Sequence, residues 1–237
     1  MVHRTSRRML YPVATVAGIS TILLALSGLA ALGRGDGSPF KDRARVASTL
    51  RANQQALQAF RWTQRVITTV NGKVQNDATF QILPEGGGTF RRVQISAREE
   101  HFANRKQERD ARAYRDGIEK LIAAYAEALQ PDKLAKFIER ADATAGSGNS
   151  SGTWVLHGVN VVHRGDSVTL YVSGSTYQPK SMEVHTSQGK DFVTGTVSFT
   201  ALDGGTWCPQ SALVQAPQKD WQMSIQNSEF ARGAVAE

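Results

Sequence analysis

From Thr153 to Ile225 the chain repeats one pattern: short runs of alternating apolar and polar residues, divided by glycine-bearing turns, with no helical stretch between them. Val168, Leu170 and Val172 alternate with Thr169 and Tyr171; Met182, Val184 and Thr186 follow. Gln188-Gly189-Lys190 turns into Val193, Gly195, Val197, Phe199 and Ala201. Asp203-Gly204-Gly205 turns into 206–214, and Trp221, Met223 and Ile225 close the series. A period of two is the repeat of a strand's faces. Strands joined this closely, without crossover helices, make an antiparallel sheet.

The same period opens the folded part. In 60–70 one face collects Phe60, Trp62, Val66 and Val70, and Asn71-Gly72 is a strong two-residue hairpin signal. A second strand over 73–83 places Phe80 and Ile82 on one face, and a third spans 89–97. Phe90 is out of phase with Val93 and Ile95, which asks either for a bulge at Arg91-Arg92 or for one of these residues to face solvent. Helical spacing appears twice. Val46, Leu50, Leu57 and Phe60 predict a helix over 41–58. Residues 103–141 lack strand chemistry, and Ile118, Leu121, Ile122, Tyr125 and Leu129 form one stripe. Pro131 either breaks that helix or starts another, faced by Leu134, Phe137 and Ile138. The expected fold is α+β: one curved antiparallel sheet of eight or nine strands, a leading helix, and a helical insert after the third strand. A single domain over 41–230 accounts for it, preceded by a linker at 34–40 and followed by a tail at 231–237.

Ahead of this domain, Arg4, Arg7 and Arg8 precede an uncharged run from Met9 to Leu32. A basic end followed by an apolar run is an export signal, so the domain is expected outside the cytoplasm, in the periplasm or beyond. The run, 9–32, suits a cleaved signal or an inner-membrane anchor, and both stand. Setting those three arginines aside, the formal charge of +7 falls to +4. The stretch 91–115 holds that entire excess, with eight Lys or Arg against four acids. It is either a solvated helix face, with pairs such as Lys106–Asp110 and Glu108–Arg112, or a contact for an acidic partner or anionic head groups. Nucleic acid is not expected, since no nucleic-acid motif accompanies the charge. Cys208 is the single cysteine, so no intramolecular disulfide supports the fold.

No catalytic constellation is present. His101, His157, His163 and His185 show no metal-ligand spacing, and their even separation would put His157 and His163 on one strand face. There is no nucleophile elbow, phosphate loop or dinucleotide fingerprint. Arg164-Gly165-Asp166 reads as a hairpin turn. The expectation is a protein without enzymatic activity, cofactor or metal. What the sheet does offer is apolar surface. If helices cover its inner face fully, the aromatic residues are core; if the sheet curls into an incomplete barrel, the helices become a lid over an apolar cavity.

The export signal, leading helix, Trp-bearing strand into an Asn-Gly hairpin, helical insert and long meander together resemble the bacterial lipoprotein-carrier superfamily. That group includes LolA, LolB, the LppX-type lipid-binding lipoproteins and the sensor domain of RseB. The segments 158–172 and 180–205 carry the likeness, while the charged insert 98–143 departs from the simple carriers. The resemblance implies a half-open barrel that binds acyl chains or a partner's peptide without doing chemistry. On that reading Trp62, Val66, Phe80, Ile82, Ile122, Tyr125, Leu170 and Phe199 are candidates to line a cavity for a lipid or lipoprotein acyl chain. Arg91, Arg92, Arg105, Lys106, Arg109 and Arg112 are candidates for a partner or head-group contact. The alternative is a membrane-anchored sensor or interaction module that meets an acidic protein through the basic insert.

Overall fold

The computed structural model describes residues 42–86, 89–98, 104–128, 131–147 and 152–233. The expected leader or anchor and the whole of the linker lie outside them. Among the described residues no helix is long and apolar enough to cross a membrane.

Ten strands form one antiparallel sheet: β1 (Phe60–Val70), β2 (Lys73–Gly86), β3 (Thr89–Arg98), β4 (Asp142–Ala145), β5 (Thr153–Val159), β6 (Ser167–Ser173), β7 (Pro179–Gln188), β8 (Asp191–Ala201), β9 (Trp207–Ala216) and β10 (Trp221–Arg232). The spatial order is β3-β2-β1-β10-β9-β8-β7-β6-β5-β4, so the sheet does not close and β3 and β4 are its edges. Register shifts on β1, β2, β6 and β8 mark bulges, which bend a sheet. The result is a curved, half-open sheet with helices on one face, as the period-two pattern predicts. The strand count is higher than expected because β4 (Asp-Ala-Thr-Ala) carries no strand signal; it forms by pairing with β5. β10 also runs through Arg232, into what was expected to be tail.

The two edges explain the helices. β3 and β4 are consecutive strands at opposite ends of the sheet, so the chain between them must cross its full width. Nine strand gaps at ~4.8 Å span roughly 43 Å. Helix α2 (Arg105–Ala128) and helix α3 (Pro131–Arg140) have 24 and 10 residues, about 36 and 15 Å at ~1.5 Å per residue. One helix falls short and two suffice. Asn104 caps α2, its Oδ1 accepting from the N–H groups of Lys106 and Gln107 at 3.1 and 3.0 Å. Pro131 opens α3, in the first turn where its missing N–H costs nothing.

Helix α1 (Arg43–Leu57) lies on the same face and is fastened at both ends. The Tyr177 hydroxyl donates to Asp42 at 2.9 Å. The Asn53 side chain exchanges two 2.6 Å bonds with the backbone of Trp207, as a neighbouring strand would. Arg43 bonds the carbonyls of Ile138 and Ala141, tying α1 to the end of α3.

The main core joins Val46 and Leu50 of α1, Ile118, Leu121, Ile122 and Tyr125 of α2, and Leu134, Phe137 and Ile138 of α3 to inward residues of the sheet. A second, smaller cluster sits at the β1–β2 end, where Trp62 and Ile82 are buried beneath half-buried Phe80, Phe90 and Phe230. A polar link separates the two along β1. The buried Gln64 amide donates to Asn227 at 3.1 Å, and Asn227 donates to the Pro209 carbonyl at 2.9 Å.

At Phe90 the second of the two alternatives holds, and the histidine expectation is corrected. β3 pairs without interruption from Phe90 to Gln94, so no bulge falls at Arg91-Arg92. Phe90 faces inward, Val93 and Ile95 are exposed, and the register shift comes at Ile95 instead. His157 and His163 do not share a strand: β5 ends at Val159, and His163 lies in the turn that follows. His157 bonds Thr169 at 2.9 Å.

Candidate functional site

Helix α2 crosses the sheet along the rim where the β9–β10, β7–β8 and β5–β6 connections turn. Its Tyr114 ring meets Trp221 of β10 edge-on at 6.0 Å. A turn later Gly117 passes so close to Gln188 that a Cβ would lie 2.3 Å from the amide nitrogen. At its far end the Tyr125 hydroxyl donates to Asp166 at 2.6 Å.

Asp166 is the best-bonded carboxylate of the site, 3% exposed. Its Oδ1 accepts from Val161 N at 2.6 Å, and its Oδ2 from Val162 N at 2.9 Å and His163 N at 2.8 Å. Gly165, at φ +88, and Asn160, at φ +55, allow the tight turn, which Gly165 N closes by donating to Asn160 Oδ1 at 2.7 Å. Burial opposes the charge on Asp166, but the Tyr125 hydroxyl and the three amide hydrogens outweigh it and hold its pKa below the ordinary value. Burial and the bonded Asp166 push the Tyr125 phenol strongly up, so it remains a donor at any physiological pH. The Arg164-Gly165-Asp166 turn is thus a fastening for the helix, with its acid inside.

Between this fastening and the sheet lies a cavity of 40 Å³, lined by Leu121, Ile122 and Tyr125 above and by inward residues of β7, β8, β9 and β10 below. Met182, Val184, Val197 and Ile225 are among the strand residues. The wall is almost wholly hydrocarbon. Left empty, a void of this size costs only about 1 kcal/mol, and it is well short of the ~150 Å³ that holds a benzene ring.

Of the eight residues expected to line one cavity, Ile122 and Tyr125 lie on its wall. Val66 and Leu170 are buried in the same core away from it, and Phe199 is half-buried against that core. Trp62 and Ile82 belong to the second cluster, with Phe80 touching both. Apart from Thr196, the strand residues that do form the wall share the inward period-two positions. Which of those positions lie beneath α2 depends on where the helix crosses, and no local pattern encodes that.

The six basic candidates also separate. Arg105, Lys106, Arg109 and Arg112 are exposed on the first half of α2, before its first buried residue, Ile118. Arg112 pairs with Glu108 at 2.8 Å. Arg91 points outward beside Glu85 at 3.4 Å. Arg92 faces inward, its guanidinium 3.3 Å from the centre of the Phe80 ring. Burial lowers its pKa to about 10, against the favouring charge of Glu119 on α2. It remains a cation at neutral pH, but one turned away from the other five. Burial likewise pushes the Cys208 thiol up to about 12, far from a reactive thiolate. Among the described residues no group of three or more His, Cys, Asp or Glu is placed to hold a metal ion.

These features define a class: an α+β protein whose curved, open antiparallel sheet is covered on its inner face by helices over an apolar cavity. No protein-family model matches the chain, and no curated protein matches its sequence. Its structural neighbours include a DUF1329-family protein from Desulfovibrio piger, at 13% identity over 85% of this chain and 96% of that one, with a TM-score of 0.40. A putative outer-membrane lipoprotein-sorting protein domain from Vibrio parahaemolyticus is 11% identical over 78% and 92% of the two chains, with a TM-score of 0.39. A LolA superfamily protein from Nitrosomonas europaea is 10% identical over 78% and 94%, with a TM-score of 0.36.

Proposed function

We propose that this is a non-enzymatic binding protein of the bacterial cell envelope that holds a lipid or lipoprotein acyl chain between helix α2 and the inner face of the sheet. The observation that carries the reading is the hydrocarbon-walled cavity beneath a helix fastened at Tyr125–Asp166. A chain enters by displacing α2. Exposing Ile118, Leu121 and Ile122 costs about 2 kcal/mol each, and parting a hydrogen bond to a charged group costs roughly 2 more. At ~0.8 kcal/mol per buried methylene, about ten methylenes offset that opening. Long acyl chains meet the condition and short ones do not. The basic end and apolar run read as an export signal, and an exported domain would meet such lipids, with residues 9–32 either removed or retained as an inner-membrane anchor.

The test is mass spectrometry of an organic extract of the exported protein, purified without detergent. A stoichiometric acyl-chain species supports the reading. A clean extract, together with no uptake of a long-chain fatty acid added afterwards, overturns it.

A second reading rests on the exposed row Arg105, Lys106, Arg109 and Arg112. Under it the chain is an interaction module whose basic helix meets an acidic protein. Charge reversal along that row then abolishes partner binding, while polar substitutions in the cavity leave it intact.

A further inference from the structure

A second recess, of 250 Å³, opens between α3 and the end of β5. It exists because β4 is short. Asp142 pairs with His157, and no β4 residue stands beside Gly158 or Val159. Helix α3 occupies that side instead. Its Phe137 ring presses on Gly158 so closely that a Cβ would lie 2.6 Å from it.

The walls of this groove differ in chemistry. On the β5 side Val159 and Val161 are apolar, and Val159 is 61% exposed at the rim. On the α3 side Lys133, Lys136 and Arg140 follow one another at spacings of three and four, so they share one helix face, with Phe137 set among them. Lys133 is paired with Glu127 at 2.6 Å. Lys136 and Arg140 are exposed, and Asp142 is the one carboxylate of the lining. The groove shares no lining residue with the cavity under α2.

A cationic wall facing an apolar one is complementary to an anionic oxygen group carried on an apolar body. We propose that the groove between α3 and β5 binds the anionic head group of an amphiphile, with Arg140 and Lys136 holding its oxygens. The guanidinium takes a phosphate or carboxylate in two-pronged fashion, and the ammonium adds a point charge. Val159 and Val161 lie against the apolar part. Asp142 works against the anion and limits affinity. The site stands whether or not a chain occupies the cavity under α2.

Titration calorimetry of the exported protein distinguishes the cases, using three probes: water-soluble dihexanoyl phosphatidic acid, its phosphatidylcholine counterpart and inorganic phosphate. The phosphatidic acid is expected to bind more weakly as salt rises. Replacing both cations (Lys136→Gln with Arg140→Gln) should weaken it by roughly tenfold or more, while Asp142→Asn should tighten it. The two changes act in opposite directions, so a loss of folding in the first leaves the second informative. Inorganic phosphate binding with the same dependence assigns the site to free phosphate groups; binding of the phosphatidic acid alone assigns it to a lipid head group. No binding of either anion, equal binding of phosphatidylcholine, or affinity unchanged in both variants overturns the proposal.

Discussion

Asp166 carries four hydrogen bonds to its carboxylate in a turn where sequence alone shows only a tripeptide and a glycine. An amide keeps one acceptor oxygen and turns its NH2 against at least one of the three backbone donors, so Asp166→Asn should cost about 2–4 kcal/mol in denaturant unfolding. Tyr125→Phe removes one bond to the same charge and should cost about 1.5–3 kcal/mol. The pH dependence has a definite sign. The folded pKa of Asp166 lies below that of the unfolded chain, so the unfolded state binds more protons over the interval between them. Its contribution is whole above the unfolded value of about 3.9 and fades as pH falls through the folded one. Comparing wild type with Asp166→Asn at pH 6 and pH 2.5 should therefore show a stability gap that narrows in acid. An unchanged gap would remove the carboxylate from that role.

Two glycines separate a tolerant helix contact from a strict one. At Gly117, in α2, an added Cβ meets only the flexible end of Gln188. Ala is the better helix former by about 1 kcal/mol, so Gly117→Ala should leave the melting temperature unchanged or raise it. At Gly158 the added atom meets the Phe137 ring, held in the core between α3 and β5. Gly158→Ala should lower stability by about 1–3 kcal/mol, the range for forcing extra volume into a packed interior. Thermal melts of both variants check the pair. The exposed first half of α2 behaves differently again. Reversing Arg105, Lys106 and Arg109 to Glu should move the melting temperature little, since isolated surface charges contribute within about 0.5 kcal/mol each; a large loss would mean that this half packs on something.

At the scale of the molecule, the sheet is a cradle that one chain segment must cross, and the crossing helix is also the cover. Binding of an acyl chain and movement of α2 are therefore one event under the proposed function. Affinity measured over a series of saturated fatty acids should be negligible below about ten carbons, then rise roughly fourfold per added methylene until the chain fills the space. A series that binds equally at every length would leave the cavity as a packing void.

The strands, the leading helix and the stripe Ile118–Leu121–Ile122–Tyr125 were legible in the chain, because each is a local period imposed by one buried face. The Asn71-Gly72 and Gly204-Gly205 turns were legible for the same kind of reason: positive φ is a property of single residues. What the sequence could not specify is which faces meet. The strand β4 exists only through its pairing with β5. The inward turn of Arg92, the division of Trp62 and Ile82 from Ile122 and Tyr125, and the use of Asp166 as a fastening follow from the path of the helices across the sheet. That path is set by contacts between residues far apart in the chain, such as Tyr125 with Asp166 and Asn53 with Trp207. Local periodicity decides what is buried; only the assembled sheet decides beside what.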